Sequence, residues 1–236
     1  MACGENYYWW SCDKCGNAFK VHVTCKRRTC LKCAGIRSRQ LVEMYLPVVS
    51  TFKWPCFITF TLKVDFSKTA KEQVDKIIAS FRKLRQRKVW DAKRGLFGIE
   101  MVKKEEAWYI HLHGLIDSKW MDHDALSSAW FKITGDSYVV YLKRISDRRG
   151  ALREVLKYQT KIWELSEEDK EFVEETFEHR RFVNAFGIKK PKKLEPKPMK
   201  CKICGGNLTK MDDEIYQAQR RHKNHPTPER EFWDDG

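Results

Sequence analysis

The sequence predicts an α+β domain, a mainly antiparallel sheet with helices packed on it, joined to a small cysteine-rich lobe. Three observations lead there. Apolar and polar residues alternate in "FITFTL" and "YIHLHGLI", so both read as strands with one wetter face. Apolar residues recur at helical spacing through Val74, Ile77, Ile78, Phe81 and Leu84, and again through Leu152, Val155, Leu156, Ile162 and Trp163. Six of the nine cysteines fall into tight Cys-x-x-Cys pairs, which suit a tetrahedral thiolate site better than long-loop staples.

Residues 1–45 form the cysteine-rich lobe. Its two pairs lie fourteen residues apart, close to zinc-ribbon spacing, so Cys12, Cys15, Cys30 and Cys33 are the first-choice zinc ligands. Cys25 or His22 could replace one of the four, and a redox pair or free thiols is the competing reading. A lobe this small has little core of its own and would fold around its metal. "IRSRQLVEMYL" then reads as a short helix.

Residues 54–187 carry the main domain. "WPCFITFTLKVDF" opens it as a strand, and "SKTAKEQVDKIIASFRKLRQRKVW" follows as a long amphipathic helix that Ser67 or Thr69 could cap. "GLFGIEMVKK" and "AWYIHLHGLID" form a hairpin through the polar "KKEEA". Next come a short helix in "DHDALSSAWFKIT", a strand in "SYVVYLKRI", a helix in "GALREVLKYQTKIWEL", and a segment from Ser166 that opens like a capped helix. Residues 188–200, rich in Lys and Pro without periodicity, read as an extended linker. In residues 201–236, Cys201 and Cys204 could make a second zinc site with His222 and His225, although His-x-x-His is tighter than finger spacing, and Cys3 is an alternative ligand.

The chain carries 46 Lys+Arg against 32 Asp+Glu, a net charge of +14. Such a surplus suits a polyanionic partner, because each phosphate neutralised releases counterions. No apolar run is long enough to span a bilayer, and "MACGENYYWW" has no signal-peptide pattern, so no membrane partner is expected. Cysteines in metal-type pairs, without an export signal, make a reducing cytoplasm the expected compartment.

The chemistry centres on "WYIHLHGLID". Residues two apart on a strand share a face, so His111 and His113 project together, about 7 Å apart at the backbone. A metal site and a merely wet strand face both fit that pair. Glu100 lies on the neighbouring strand, where a carboxylate is awkward without a partner. If the register brings it level with the histidines, two imidazoles and a carboxylate would suit Mg²⁺ or Mn²⁺. Glu105 and Glu106 are competing carboxylates in the loop. Downstream, Tyr158 sits on the shoulder of the apolar stripe of its helix, with Lys161 three residues on. The plain reading is a tyrosine closing the core edge beside a solvated lysine; the chemical one is a phenol nucleophile with a charge-stabilising cation.

"FITFTL", then "HLHGLI", then "YQTK", in that order, resembles the motif series of the HUH endonucleases, most closely the single-tyrosine rolling-circle replication initiators (Rep) of plasmids and small DNA phages. "CKRRTCLKCAGIRSRQ" also resembles the Cys-rich segment preceding the nuclease core in some plasmid initiators and rolling-circle-type transposases. The resemblance implies a ferredoxin-like or RRM-like antiparallel sheet. It implies His111, His113 and Glu100 as ligands of a catalytic Mg²⁺ or Mn²⁺, Tyr158 as nucleophile and Lys161 as its companion. Thr59 and Thr61 fall in the first motif, usually structural or lining the DNA path. The implied activity is nicking and rejoining of single-stranded origin DNA through a 5′-phosphotyrosine and a free 3′-OH. Origin hairpin or duplex DNA, a host helicase and a host polymerase would be partners, in the cytoplasm of a bacterial or archaeal cell. A rolling-circle transposase, a relaxase, and a non-catalytic zinc protein that binds nucleic acid are the alternatives.

Overall fold

A computed structural model describes residues 3–105, 107–156, 164–181, 183–189, 191, 194–195, 198–212 and 230–233. In chain order the elements are β1 (Tyr7–Cys12), β2 (Ala18–His22), α1 (Leu31–Ser50), β3 (Pro55–Thr61), α2 (Ala70–Leu84), β4 (Arg94–Lys104), β5 (Ala107–Asp117), α3 (His123–Thr134) and β6 (Val140–Arg144). They continue with α4 (Arg148–Leu156), α5 (Glu167–Thr176), β7 (Val183–Phe186), β8 (Leu208–Lys210) and β9 (Arg230–Trp233). The expected α+β class with mainly antiparallel strand pairing is what the structure shows.

The chain divides into two units, Arg37–Lys193 and a second made of Met1–Ile36 with Leu194–Gly236. In the larger unit a five-stranded sheet has the order β6-β3-β5-β4-β7, every neighbouring pair antiparallel. β3 and β4 therefore run parallel with β5 between them and are joined by α2. β5 and β6 likewise flank β3 and are joined by α3. This strand–helix–strand–strand–helix–strand path is the split βαβ arrangement.

Each face of the sheet is covered for a reason visible in its residues. Ile58, Phe60, Ile99, Met101, Ile110 and Leu112 point to one side and pack on Val74, Ile77, Phe81 and Leu84 of α2 and on Leu126 and Trp130 of α3. Those helical residues recur every three or four positions, so one stripe of each helix is dry. A reciprocal capping box starts α2: Glu72 N donates to Thr69 Oγ1 at 3.2 Å, and Thr69 N to the Glu72 carboxylate at 2.8 Å. Asp122 caps α3 by accepting from Ala125 N at 2.7 Å, and Gly135 ends it at φ 84°. On the other side, Leu96 and Leu115 are covered by Leu41, Val42 and Val49 of α1 and by Leu152, Val155 and Leu156 of α4.

The structure corrects four readings of the sequence. The helix expected in "IRSRQLVEMYL" is the twenty-residue α1, which begins inside the second cysteine pair. The loop expected in "KKEEA" is shorter, because Lys104 and Ala107 already pair and only two residues connect β4 to β5. Val183–Phe186, read as part of a helical segment, forms a fifth strand beside β4. The cysteine-rich lobe is not residues 1–45 alone, with 201–236 apart from it. β8 pairs antiparallel with β1, and β9 pairs parallel with β2, so both segments share one four-stranded sheet. Among the described residues no helix is long and apolar enough to cross a membrane.

Candidate functional site

His111 and His113 lie on β5, the middle strand of the five, and face away from the α2–α3 layer. The neighbouring strands supply their partners. On one side Thr61 pairs with His111 and Thr59 with His113. Thr61 Oγ1 stands 3.0 Å from His111 Nδ1, and Thr59 Oγ1 stands 2.9 Å from His113 Nδ1. On the other side Glu100 pairs with His111, and its Oε2 reaches His113 Nε2 at 2.7 Å. The register that the sequence left conditional therefore brings Glu100 level with the two rings.

The threonines were placed by the sequence on the wetter face but given no role toward the histidines. A hydroxyl can both donate and accept. With Nε2 of His113 donating to the carboxylate, Thr59 can donate to a bare Nδ1. With Nε2 engaged as a lone-pair donor to a cation, the same hydroxyl can accept from Nδ1–H. The threonines thus hold each ring in place while leaving its tautomer free to change.

Phe57 stacks on the His113 ring at 5.8 Å, and the two imidazoles stand 6.1 Å apart between centroids. Burial lowers the affinity of His111 for a proton; Glu100 opposes this, while His113 and Lys104 add to it. His111 is thereby held toward the neutral form that a metal ligand requires. Donors on adjacent positions of an ion with bonds of about 2.1 Å stand roughly 3 Å apart. The Glu100–His113 contact is close to that spacing. His111 stands further off: its nitrogen does not join the other two donors within the 4.8 Å that gathers each cysteine group described below.

Tyr158 and Lys161 lie outside the described residues. The helix before them in sequence, α4, is described through Leu156 and packs on Leu96 and Leu115, which share the face of Glu100 and His113. Glu105 sits in the two-residue hairpin loop at φ 52°, away from the histidines' register, and Glu106 lies outside the described residues.

Eight cysteines gather into two tetrads in the smaller unit, Cys3 with Cys25, Cys30 and Cys33, and Cys12 with Cys15, Cys201 and Cys204. The expected set Cys12, Cys15, Cys30 and Cys33 is therefore split between two sites. The physical reason is the strand pairing: β8 lies against β1 and delivers the Cys201 pair to the Cys12 pair. Cys25 does act as a member of a tetrad, and Cys3 joins it there rather than at Cys201 and Cys204. His22 belongs to neither, since its Nδ1 lies 2.9 Å from the Gly4 carbonyl within the sheet. His222 and His225 lie outside the described residues.

Sulfur–sulfur distances are 3.7 Å for Cys3–Cys33, 3.6 Å for Cys25–Cys33, 3.4 Å for Cys12–Cys204 and 3.7 Å for Cys15–Cys201. A disulfide would need about 2.0 Å. Four thiolates around zinc at about 2.3 Å stand about 3.8 Å apart, so both tetrads could hold that ion. At Cys15 the side chain of Asn17 donates to Sγ at 3.1 Å and draws the thiol pKa down to about 6, which favours the ligating thiolate.

Comparison of the chain with protein-family models, curated proteins and solved structures finds no significant match.

Proposed function

We propose that this chain nicks and rejoins single-stranded DNA at a rolling-circle replication origin, in the manner of the single-tyrosine HUH initiators its motifs resemble. One observation carries the reading: two histidines side by side on the middle strand, each ring tethered by a threonine of one neighbour, with a carboxylate of the other neighbour at Nε2. The split βαβ sheet, which is also the ferredoxin-like or RRM-like order that the resemblance implies, and the net charge of +14 support it. So does the course of α4 over the histidine-bearing face, two residues ahead of Tyr158.

In this proposal His111, His113 and Glu100 would hold Mg²⁺ or Mn²⁺, which when bound supplies Lewis-acid polarisation of the scissile phosphate. The Tyr158 oxygen bonds to phosphorus as the bond from phosphorus to the 3′-oxygen breaks. The departing oxygen keeps the bonding pair and takes up a proton, giving a free 3′-OH for a host polymerase, and the phenol loses its own proton. Lys161 offsets the charge that builds on the phosphate. The phosphotyrosine diester conserves the cleaved bond, so attack by a 3′-OH rejoins the strand without ATP.

The test is a covalent-adduct assay. A randomised library of labelled single-stranded DNA, incubated with the full chain and Mn²⁺, should give a protein-bound band that survives denaturing electrophoresis. The band should be lost in Tyr158→Phe and in the presence of chelator. Absence of any adduct from the wild-type chain, or its persistence in Tyr158→Phe, would defeat the proposal.

A second reading has one observation of its own. The His113–Glu100 hydrogen bond satisfies both groups without an ion, and the three donors are less gathered than either cysteine tetrad. A zinc-containing protein that binds nucleic acid without cutting it would show band shifts in the same assay and no adduct.

A further inference from the structure

We infer that the protein binds two zinc ions, each through four thiolates, and that the second ion fastens residues 12–15 to residues 201–204. The cysteine geometry alone carries this, so it stands or falls independently of the nicking proposal.

The pairing is set by the backbone around the sulfurs. Two like knuckles build the second tetrad. In one, Gly16 N donates to the Cys12 carbonyl at 3.0 Å and Lys14 N to Cys12 Sγ at 3.4 Å. In the other, Gly205 N donates to the Cys201 carbonyl at 2.9 Å and Ile203 N to Cys201 Sγ at 3.4 Å. Gly16 and Gly205 follow their second cysteine at φ 66° and 71°, a turn that glycine makes without strain. Amides aimed at sulfur stabilise thiolate, and four thiolates on one dication leave a net negative charge that needs such donors. The knuckles meet crosswise, the first cysteine of each beside the second of the other.

A second set of bonds holds the knuckles together without using sulfur. Asn207 donates its backbone N and its side-chain Nδ2 to the Asp13 carboxylate at 2.8 and 3.1 Å, and Asp13 N donates back to the Asn207 carbonyl at 3.0 Å. At Gly206 the two segments approach so closely that a Cβ would stand 2.7 Å from Cys12 Sγ. The first tetrad is built differently. Cys30 immediately precedes α1 and Cys33 lies in its first turn, with Cys3 and Cys25 arriving from the strand side. Both sets are closed, all four positions being thiols, which is the pattern of structural rather than catalytic zinc. Cys56, the ninth cysteine, lies in the sheet core of the larger unit and takes no part.

Native mass spectrometry and metal analysis of the full chain should find two zinc ions. X-ray absorption at the zinc edge should show four sulfurs at about 2.3 Å and no nitrogen. A single zinc, iron in its place, or an imidazole in the shell would each refute the inference. Paired variants test the grouping. Cys12→Ala with Cys204→Ala should keep one zinc, and so should Cys25→Ala with Cys33→Ala, whereas Cys12→Ala with Cys30→Ala should keep none. One zinc retained in that last variant overturns the pairing. Since losing ligands can unfold the unit, Gly206→Ala provides a variant that keeps every thiol. It should release one zinc to a chelator at least tenfold faster than wild type and the other at the wild-type rate; unchanged release of both ions would count against the crosswise site.

Discussion

Replacing Thr59 and Thr61 together by valine isolates the part these hydroxyls play in the proposed nicking site. Valine matches threonine in shape and suits a strand, so the sheet should persist while both Oγ1–Nδ1 bonds, 2.9 and 3.0 Å, disappear. Each is a neutral hydrogen bond worth about 1 kcal/mol net. Together they amount to about 2 kcal/mol of ring positioning, or roughly 30-fold in an equilibrium constant. That falls inside the 10–100-fold loss typical when the outer partners of metal-binding histidines are removed. Titration calorimetry with Mn²⁺ should therefore show about 30-fold weaker binding in the double variant. Adduct formation should be restored in part by raising the Mn²⁺ concentration. Each single variant should lose about fivefold, because each ring has its own threonine. Binding within threefold of wild type, in a variant that melts normally, would refute the view that the threonines position the histidines.

Two further predictions concern the frame that holds the site. Asp117 accepts from Trp54 N and from the Arg94 guanidinium; burial works to raise its pKa, but these partners hold it below the ordinary carboxylate value. A depressed folded-state pKa gives stability that is complete above the unfolded value and is lost as pH falls through the folded one. Asp117→Asn should thus cost about 1.5–3 kcal/mol at pH 7, with the gap to wild type closing toward pH 3 in thermal melts; a gap independent of pH would contradict this. At the hairpin loop, Glu105 occupies the left-handed region at φ 52°, which costs a side-chain-bearing residue roughly 1–2 kcal/mol. Glu105→Gly should recover about 0.5–1 kcal/mol in denaturant melts after glycine's own entropy cost, and a destabilised variant would show that the strain is absent.

What the sequence disclosed and what it withheld divide along the range of the interactions. The capping box of α2 joins Thr69 to Glu72, three residues apart, and could be read directly. Glu100 reaches the histidines because a tight hairpin fixes the β4–β5 register, and this too is nearly local. The threonines' partners were harder, because β3 neighbours β5 only after α2 and β4 have intervened. Alternation showed that Thr59 and Thr61 share a face, not which strand would lie beside it. The short β7 pairs at the sheet edge after a capped helix, and its four residues carry no strong alternation. The cysteines misled for a specific reason. The pairs at Cys12 and Cys30 have ribbon spacing, but the partners each pair takes come from elsewhere in the chain.

The arrangement of the tetrads also sets an order of assembly. Cys3, Cys25, Cys30 and Cys33 lie within 30 positions of one another, whereas Cys201 trails Cys15 by 186. At about 5–20 residues per second, translation leaves Cys12 and Cys15 waiting roughly 10–40 s for their partners. During that interval the nascent chain comes to hold seven thiols, Cys56 and the ribbon-spaced set Cys12, Cys15, Cys30 and Cys33 among them. Cys3 and Cys25 already stand ready to claim Cys30 and Cys33 for a complete site, and in doing so keep Cys12 and Cys15 in reserve. With zinc in both tetrads as inferred above, the two cysteines outside any Cys-x-x-Cys pair would steer metal away from the nearest wrong set until the right one has been made.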